Sequence, residues 1–268
     1  MVKGGLAVPP RPPMEPSVHK PHIAGAVMTE VAAAALLVAA VAACAQATTG
    51  FGFALVAVPL LTVILNPRTA VTSVTVLSAV LAAYGLLGNK RHVRWSAVAT
   101  MSGTALIGMP IGFLALIWLS TQTLSFLIAL ILFLFTIFLI RGLHFERRRS
   151  VEAIAGLTSG TMLTSTGMNG PPVVAVFQAM RMAPPVFRAT LLATFLIQDL
   201  LAAIGFFLFG QMTVESLIVI IARLPGIALG WFVGDYYFAR LEEKRFRWIV
   251  LTMLVLSALL ALLEAAYR

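Results

Sequence analysis

Charge is what this sequence has least of. Of its 268 residues only 11% are Asp, Glu, Lys or Arg, 60% are hydrophobic, and the mean hydropathy is +0.98. Soluble domains carry about 25% charged residues, so the composition excludes an ordinary soluble fold and calls for a membrane. Cysteine is nearly absent: Cys44 stands alone in an apolar run, which excludes an intramolecular disulfide and a cysteine-rich metal site. His19, His22, His92 and His144 all fall in the N-terminal tail or in connecting segments. A membrane metalloprotease or haem protein therefore lacks its ligands, and no metal or cofactor is expected. The apolar runs carry no Ser-His-Asp set and no paired carboxylates, so an enzyme is not expected. No G-x-x-x-x-G-K-[ST] segment occurs, so an ATP-driven pump would need a separate subunit. The net charge of +9 sits in the loops, where topology and anionic membrane lipids explain it before any nucleic acid does.

What is present is organised by two interruptions in the apolar sequence. Residues 1–25 hold Pro9, Pro10, Pro12, Pro13, Pro16 and Pro21 and read as a disordered tail rather than a cleaved leader, with Met28 a second candidate start. From 26 the chain is apolar for forty residues except for Glu30, Gln46, Thr48, Thr49 and Thr62, with an interruption from Gln46 to Phe53 that holds Gly50 and Gly52, and Asn66 and Pro67 then make a turn. Spans are expected near 70–88, 96–118 and 123–142. A basic stretch follows, with Arg141, Arg147, Arg148 and Arg149. The second interruption runs from Thr158 to Pro172, and spans are expected at 186–209 and 214–236, with a last one after Trp248.

The second half repeats the first. A shift of 117 positions lays Gly50 on Gly167, Pro67 on Pro184, Ser73 on Thr190 and Gly88 on Gly205; five more lay Gly108 on Gly230 and Gly112 on Gly234. Loop charge swaps between the copies. The 89–94 loop carries Lys90, Arg91 and Arg94 while 120–123 is bare; in copy two 210–213 is bare and 240–247 carries Arg240, Lys244, Arg245 and Arg247. Lys and Arg mark cytoplasmic loops, so the swap expects copies that face opposite ways. The expected fold is an all-α integral membrane protein, a polytopic bundle of two inverted repeats, each a broken helical hairpin plus three transmembrane helices. Its parts are the tail (1–25), the first repeat (26–143), a basic cytoplasmic linker (144–151) and the second repeat (152–268), with both termini outside.

In hydrocarbon, broken backbone survives only inside protein or against a watery cavity, and the N-termini of half-helices offer N–H groups to anions. An ordinary loop between two short spans is the other reading of each break. Under the first reading the substrate-binding candidates are Gln46, Thr48, Thr49, Gly50 and Gly52 in copy one and Ser165, Thr166, Gly167, Asn169, Gly170 and Pro171 in copy two. Thr164 belongs with the second set. Each Ser or Thr can instead bond the carbonyl one turn back. Charges inside spans are costly and informative: Arg223 is an anion counter-charge or a fixed partner of Asp199, and Asp199 is that partner or a proton-coupling group. Gly108 with Gly112, and Gly230 with Gly234, are expected to let helices pack closely. Trp95, Trp118, Trp231 and Trp248 are expected at the interfaces.

At Gly50, Phe51, Gly52 and Pro59, at Asn66 and Pro67, and from Gly167 through Asn169 and Gly170 to Pro171 and Pro172, the chain resembles the TauE/SafE family of sulfite-exporter-like permeases. Pro185, Phe187, Arg188 and Thr190 extend the likeness, which covers about residues 27–264. Copy one departs from the family's richer glycine cluster, since Phe53 and Ala54 follow Gly52. The resemblance implies a secondary transporter, an exporter of a small anion such as sulfite or an organosulfonate, in a bacterial inner membrane. Proton coupling and a homo-oligomer are compatible with it. A passive anion channel and a non-transporting membrane scaffold are the alternatives.

Overall fold

The computed structural model describes residues 36–141, 149–180, 182–238 and 252. The tail, the centre of the basic linker and the last expected span lie outside the described residues. Among the described residues the fold is all helix. In order it comprises α1 (Leu36–Thr49), α2 (Phe53–Thr62), α3 (Pro67–Leu87), α4 (Trp95–Trp118), α5 (Thr121–Arg141), α6 (Arg149–Thr166), α7 (Gly170–Ala179), α8 (Pro184–Leu208) and α9 (Val214–Phe238). Four of these, α3, α4, α8 and α9, are long and apolar enough to cross a membrane.

Local chemistry sets the boundaries. Asn66 caps α3 by accepting the Arg68 N–H at 3.0 Å, and Pro67 fills the first helical position, where a missing N–H costs nothing. Pro184 and Pro185 fill the first two positions of α8, which has no side-chain cap. The two breaks coincide under the 117-residue shift, which carries Phe53–Thr62 of α2 onto Gly170–Ala179 of α7. Each preceding helix ends in a glycine of left-handed backbone, Gly50 at φ 80° and Gly167 at φ 74°, where a side chain would strain the chain. Their N–H groups close the last turn on the carbonyls of Gln46 and Leu163, both at 2.8 Å.

Packing follows the same correspondence. A methyl group added at Gly108 would meet the Leu157 carbonyl of α6, and one at Gly112 the Thr161 carbonyl; at Gly230 and Gly234 the obstacles are the Ala40 and Cys44 carbonyls of α1. These contacts are equivalent residue for residue under the two shifts, 122 for the glycines and 117 for the carbonyls. Small residues one turn apart let the helix backbones touch. So α4 lies along α6, and α9 lies along α1.

The helix ends are tied in a reciprocal way. The start of α3 meets the end of α4, where Arg68 donates to the carbonyls of Leu116, Ile117 and Leu119, and the start of α9, where Thr72 bonds Ser216 at 3.0 Å. The start of α8 meets the start of α4, where the Arg94 N–H donates to Thr190, and the end of α9, where Arg188 pairs with Asp235 at 3.0 Å. One interfacial expectation is corrected. Trp231 is buried, packed against Gly85 and edge-on to Tyr84, because a glycine on α3 opens a slot for it; Trp95 and Trp118 are exposed. Trp248 lies outside the described residues.

Candidate functional site

The first break joins α1 to α2. α2 follows its N-cap Gly52 with no side-chain cap and no proline in its first turn, so its leading N–H groups have no partner one turn back. One turn before Gly50 sits Gln46, 2% exposed, whose Nε2 has no hydrogen-bond partner among the described residues. Arg188 of α8 lies directly against the break: a Cβ on Gly50 would fall 3.1 Å from its Cγ and 3.3 Å from its Cα. The Arg188 guanidinium pairs with Asp235 and stands 5.7 Å above the Trp231 ring. The same junction at the second break has Val71 against Gly167, and Leu163 where Gln46 would be.

The threonines of the first break are spent on backbone. Thr48 donates to the Cys44 and Ala45 carbonyls at 2.9 Å each, and Thr49 to the Ala45 carbonyl at 2.8 Å while accepting the Phe51 N–H at 3.0 Å. At the second break Ser165 donates to Thr161 O at 2.7 Å, Thr166 to Met162 O at 2.8 Å and Thr164 to Met109 O at 2.8 Å. These bonds leave the hydroxyls no hydrogen for an oxyanion in this conformation.

The second break is built differently. Pro171 and Pro172 remove two of the N–H groups that the first turn of α7 would otherwise present, so this half-helix start is poorer in donors than that of α2. Asn169, 4% exposed, donates from Nδ2 to Asp199 Oδ1 at 3.0 Å and to Gln198 Oε1 at 3.3 Å. Ser159 of α6 donates to the same Gln198 oxygen at 2.9 Å and reaches the Asn169 carbonyl at 3.0 Å. Ser78 of α3 lies beside the Asp199 carboxylate. Asp199 and Gln198 are both 0% exposed, and Asp199 Oδ2 and Gln198 Nε2 have no hydrogen-bond partner among the described residues. Gln198, Ser159 and Ser78 were not singled out by the sequence reading; an amide next to a carboxylate within an apolar span was the available signal.

Arg223 joins neither cluster through its hydrogen bonds and does not pair with Asp199. Its Nη1 donates to Val219 O at 3.0 Å within α9, its Nε is buried without a partner among the described residues, and the side chain is 5% exposed. From Gly234, where α9 touches the end of α1, Arg223 lies eleven residues back, about 16 Å along the helix. A groove of about 480 Å³ between α5, α6 and α7 is bounded by Ile131, Phe135, Ile154, Met162, Pro172 and Val176 among others. Its lining is apolar and its one threonine, Thr158, already donates to Ile154 O, so it offers an anion nothing.

Comparison with curated proteins and with solved structures finds no match. The family model described as sulfite exporter TauE/SafE matches residues 35–261, from the start of the described α1 into the region after α9. That match spans most of the chain and takes in both breaks, and the chain therefore belongs to the TauE/SafE sulfite exporter family of membrane transporters.

Proposed function

We propose that this protein is a multi-pass secondary carrier of the bacterial plasma membrane. It exports a small sulfur-containing anion, sulfite or an organosulfonate, by alternating access of two inverted repeats. The observation that carries this reading is the collection of donors without acceptors at the first break. There the buried Gln46 Nε2 and the uncapped start of α2 flank Gly50, on which the aliphatic stem of Arg188 packs. A small oxyanion needs donors and positive potential but no catalytic group, and a helix N-terminus supplies both. Arg223 adds a buried positive charge in α9.

The inverted arrangement is supported by the helix ends. The start of α3 meets the end of α4 and the start of α9, while the start of α8 meets the start of α4 and the end of α9. α4 and α9 therefore run oppositely between two common ends, and so do the equivalent helices α3 and α8. Such opposition is what an inverted repeat requires. The 89–94 loop, with Lys90, Arg91 and Arg94, falls at one end, and the uncharged 120–123 and 210–213 segments fall at the other, as positive-inside sorting expects.

The test is counterflow in proteoliposomes loaded with sulfite or one of a panel of sulfonates. Acceleration by unlabelled anion on the opposite side is expected, with Gln46→Leu weakening apparent affinity. Flux without acceleration would replace the carrier by a channel. No flux with any of these anions would sink the substrate class.

A further inference from the structure

The two breaks share a backbone but not a chemistry. The polar side chains gathered around Asp199 at the second break have counterparts near the first that are apolar or lack a side chain: Ser159 corresponds to Ala42, Asn169 to Gly52, Gln198 to Leu81 and Asp199 to Ala82. The repeat geometry does not need these groups, because the first copy builds the same break without them. A carboxylate in the interior of a membrane bundle is costly unless something positive offsets it.

No side chain described here fills that role. α1, α2, α4 and α7 carry no charged residue over their described lengths. α3 has Arg68, bound to the end of α4 through three carbonyls. α6 has Arg149 and Glu152, both in its first turn, and α5 ends on Arg141. α8 has Arg188, paired with Asp235 of α9, eleven residues from Asp199. On α9, Glu215 is near Thr69 at 3.4 Å, and Arg223 donates to its own helix. Among the described residues Asp199 is left with neutral neighbours, Asn169 and Ser78, a carboxylate oxygen Oδ2 without a hydrogen-bond partner and, beside it, a Gln198 amide nitrogen without one.

We propose that the second break is a monovalent cation site, in which one proton or one sodium ion sits on the Asp199 carboxylate and Asn169 couples it to the start of α7. A single carboxylate among neutral groups suits one positive charge; no group of three or more His, Cys, Asp or Glu side chains occurs among the described residues, as a divalent ion would prefer. Asn169 stands at the junction of α6 and α7 and bonds Asp199 directly, so loss of the cation changes the hydrogen bonding that holds the break. This deepens the carrier reading: the first break takes the anion and the second takes the ion that travels against or with it.

Infrared difference spectra of the full-length protein in lipid nanodiscs test the site without requiring transport. For a proton, the expected result is a carboxylic-acid C=O band that shifts in D₂O, is lost in Asp199→Asn and moves in frequency in Asn169→Ala. For sodium, adding NaCl to protein in choline chloride is expected to change the carboxylate bands and raise the unfolding temperature, both effects being lost in Asp199→Asn. Absence of both signatures in wild type, or a band unmoved by Asn169→Ala and by Asp199→Asn, overturns the proposal. If Asp199→Asn does not fold, Asn169→Ala decides alone. Failed counterflow with a positive infrared result would remove the carrier reading and leave the cation site; the reverse outcome would leave a carrier without this site.

Discussion

Two glycines of the same helix are expected to respond to the same substitution with opposite signs. Gly103 and Gly108 both lie inside α4, but a Cβ at Gly103 would meet nothing within 4 Å, whereas one at Gly108 would overlap the Leu157 carbonyl and lie 2.9 Å from both its carbon and the Thr161 hydroxyl. Gly103→Ala therefore gains only the helix propensity and reduced unfolded-state freedom, about 0.5–1 kcal/mol. Gly108→Ala gains the same but must push two backbones apart, and overpacking costs about 1–3 kcal/mol. It also disturbs the bond from Thr161 to the Gly108 carbonyl, 3.0 Å long, worth about 1 kcal/mol. The net loss is about 2 kcal/mol, so the two variants should differ by about 3 kcal/mol. At roughly 2–4 °C per kcal/mol for a chain of this size, thermal unfolding in detergent should separate them by roughly 6–12 °C, with wild type between. Gly230→Ala should fall with Gly108→Ala, since its methyl would lie 2.7 Å from the Ala40 carbonyl carbon and 2.8 Å from its Cα. If Gly108→Ala and Gly103→Ala melt together, the contact between α4 and α6 is not as described. If Gly230→Ala melts like Gly103→Ala, the equivalence of the two copies fails.

Three further outcomes are expected. In a Cys44→Ser background, His92→Cys and Gln211→Cys should be labelled from opposite sides of the membrane by an impermeant thiol reagent, and equal labelling from outside would end the inverted arrangement. Asn169→Leu should abolish transport in inserted, folded protein, with Thr161→Val doing less; a wild-type rate in Asn169→Leu would show that the second break takes no part in transport. Arg223→Gln and Asp199→Asn should be additive in thermal stability to within about 0.5 kcal/mol, because Arg223 bonds Val219 and not Asp199; rescue of either by the double variant would restore the ion pair that the geometry denies.

Much of the fold was legible because its signals are punctuation. Gly50, Pro67, Gly167 and Pro184 interrupt apolar sequence that otherwise has only one conformation available in hydrocarbon, and the helices begin and end at them. The spacing of Gly108 with Gly112, and of Gly230 with Gly234, marked close helix contacts but not the partner. That the partners are α6 and α1 depends on long-range packing, to which a single sequence gives no access. The burial of Trp231 was hidden for the same reason, since Gly85, the residue that makes room for it, is 146 positions away.

Site chemistry was harder to read because residue type does not reveal which hydrogens are already committed. Thr48, Thr49, Ser165 and Thr166 form two matching polar clusters in sequence, yet each hydroxyl donates to a carbonyl three or four residues back. A hydroxyl in a membrane helix always has such a carbonyl in reach, so matching threonines carry little information about a ligand. A side-chain amide is less easily satisfied by its own helix, since its carbonyl and NH₂ need partners in different directions. Gln46, one of the candidates at the first break, and Gln198, which was not a candidate, are accordingly among the residues whose buried nitrogens have no partner among the described residues. Each belongs to one copy alone, with Leu163 and Leu81 as counterparts. The correspondence between copies locates the breaks, and the departures from it locate the polar groups that the fold itself does not use.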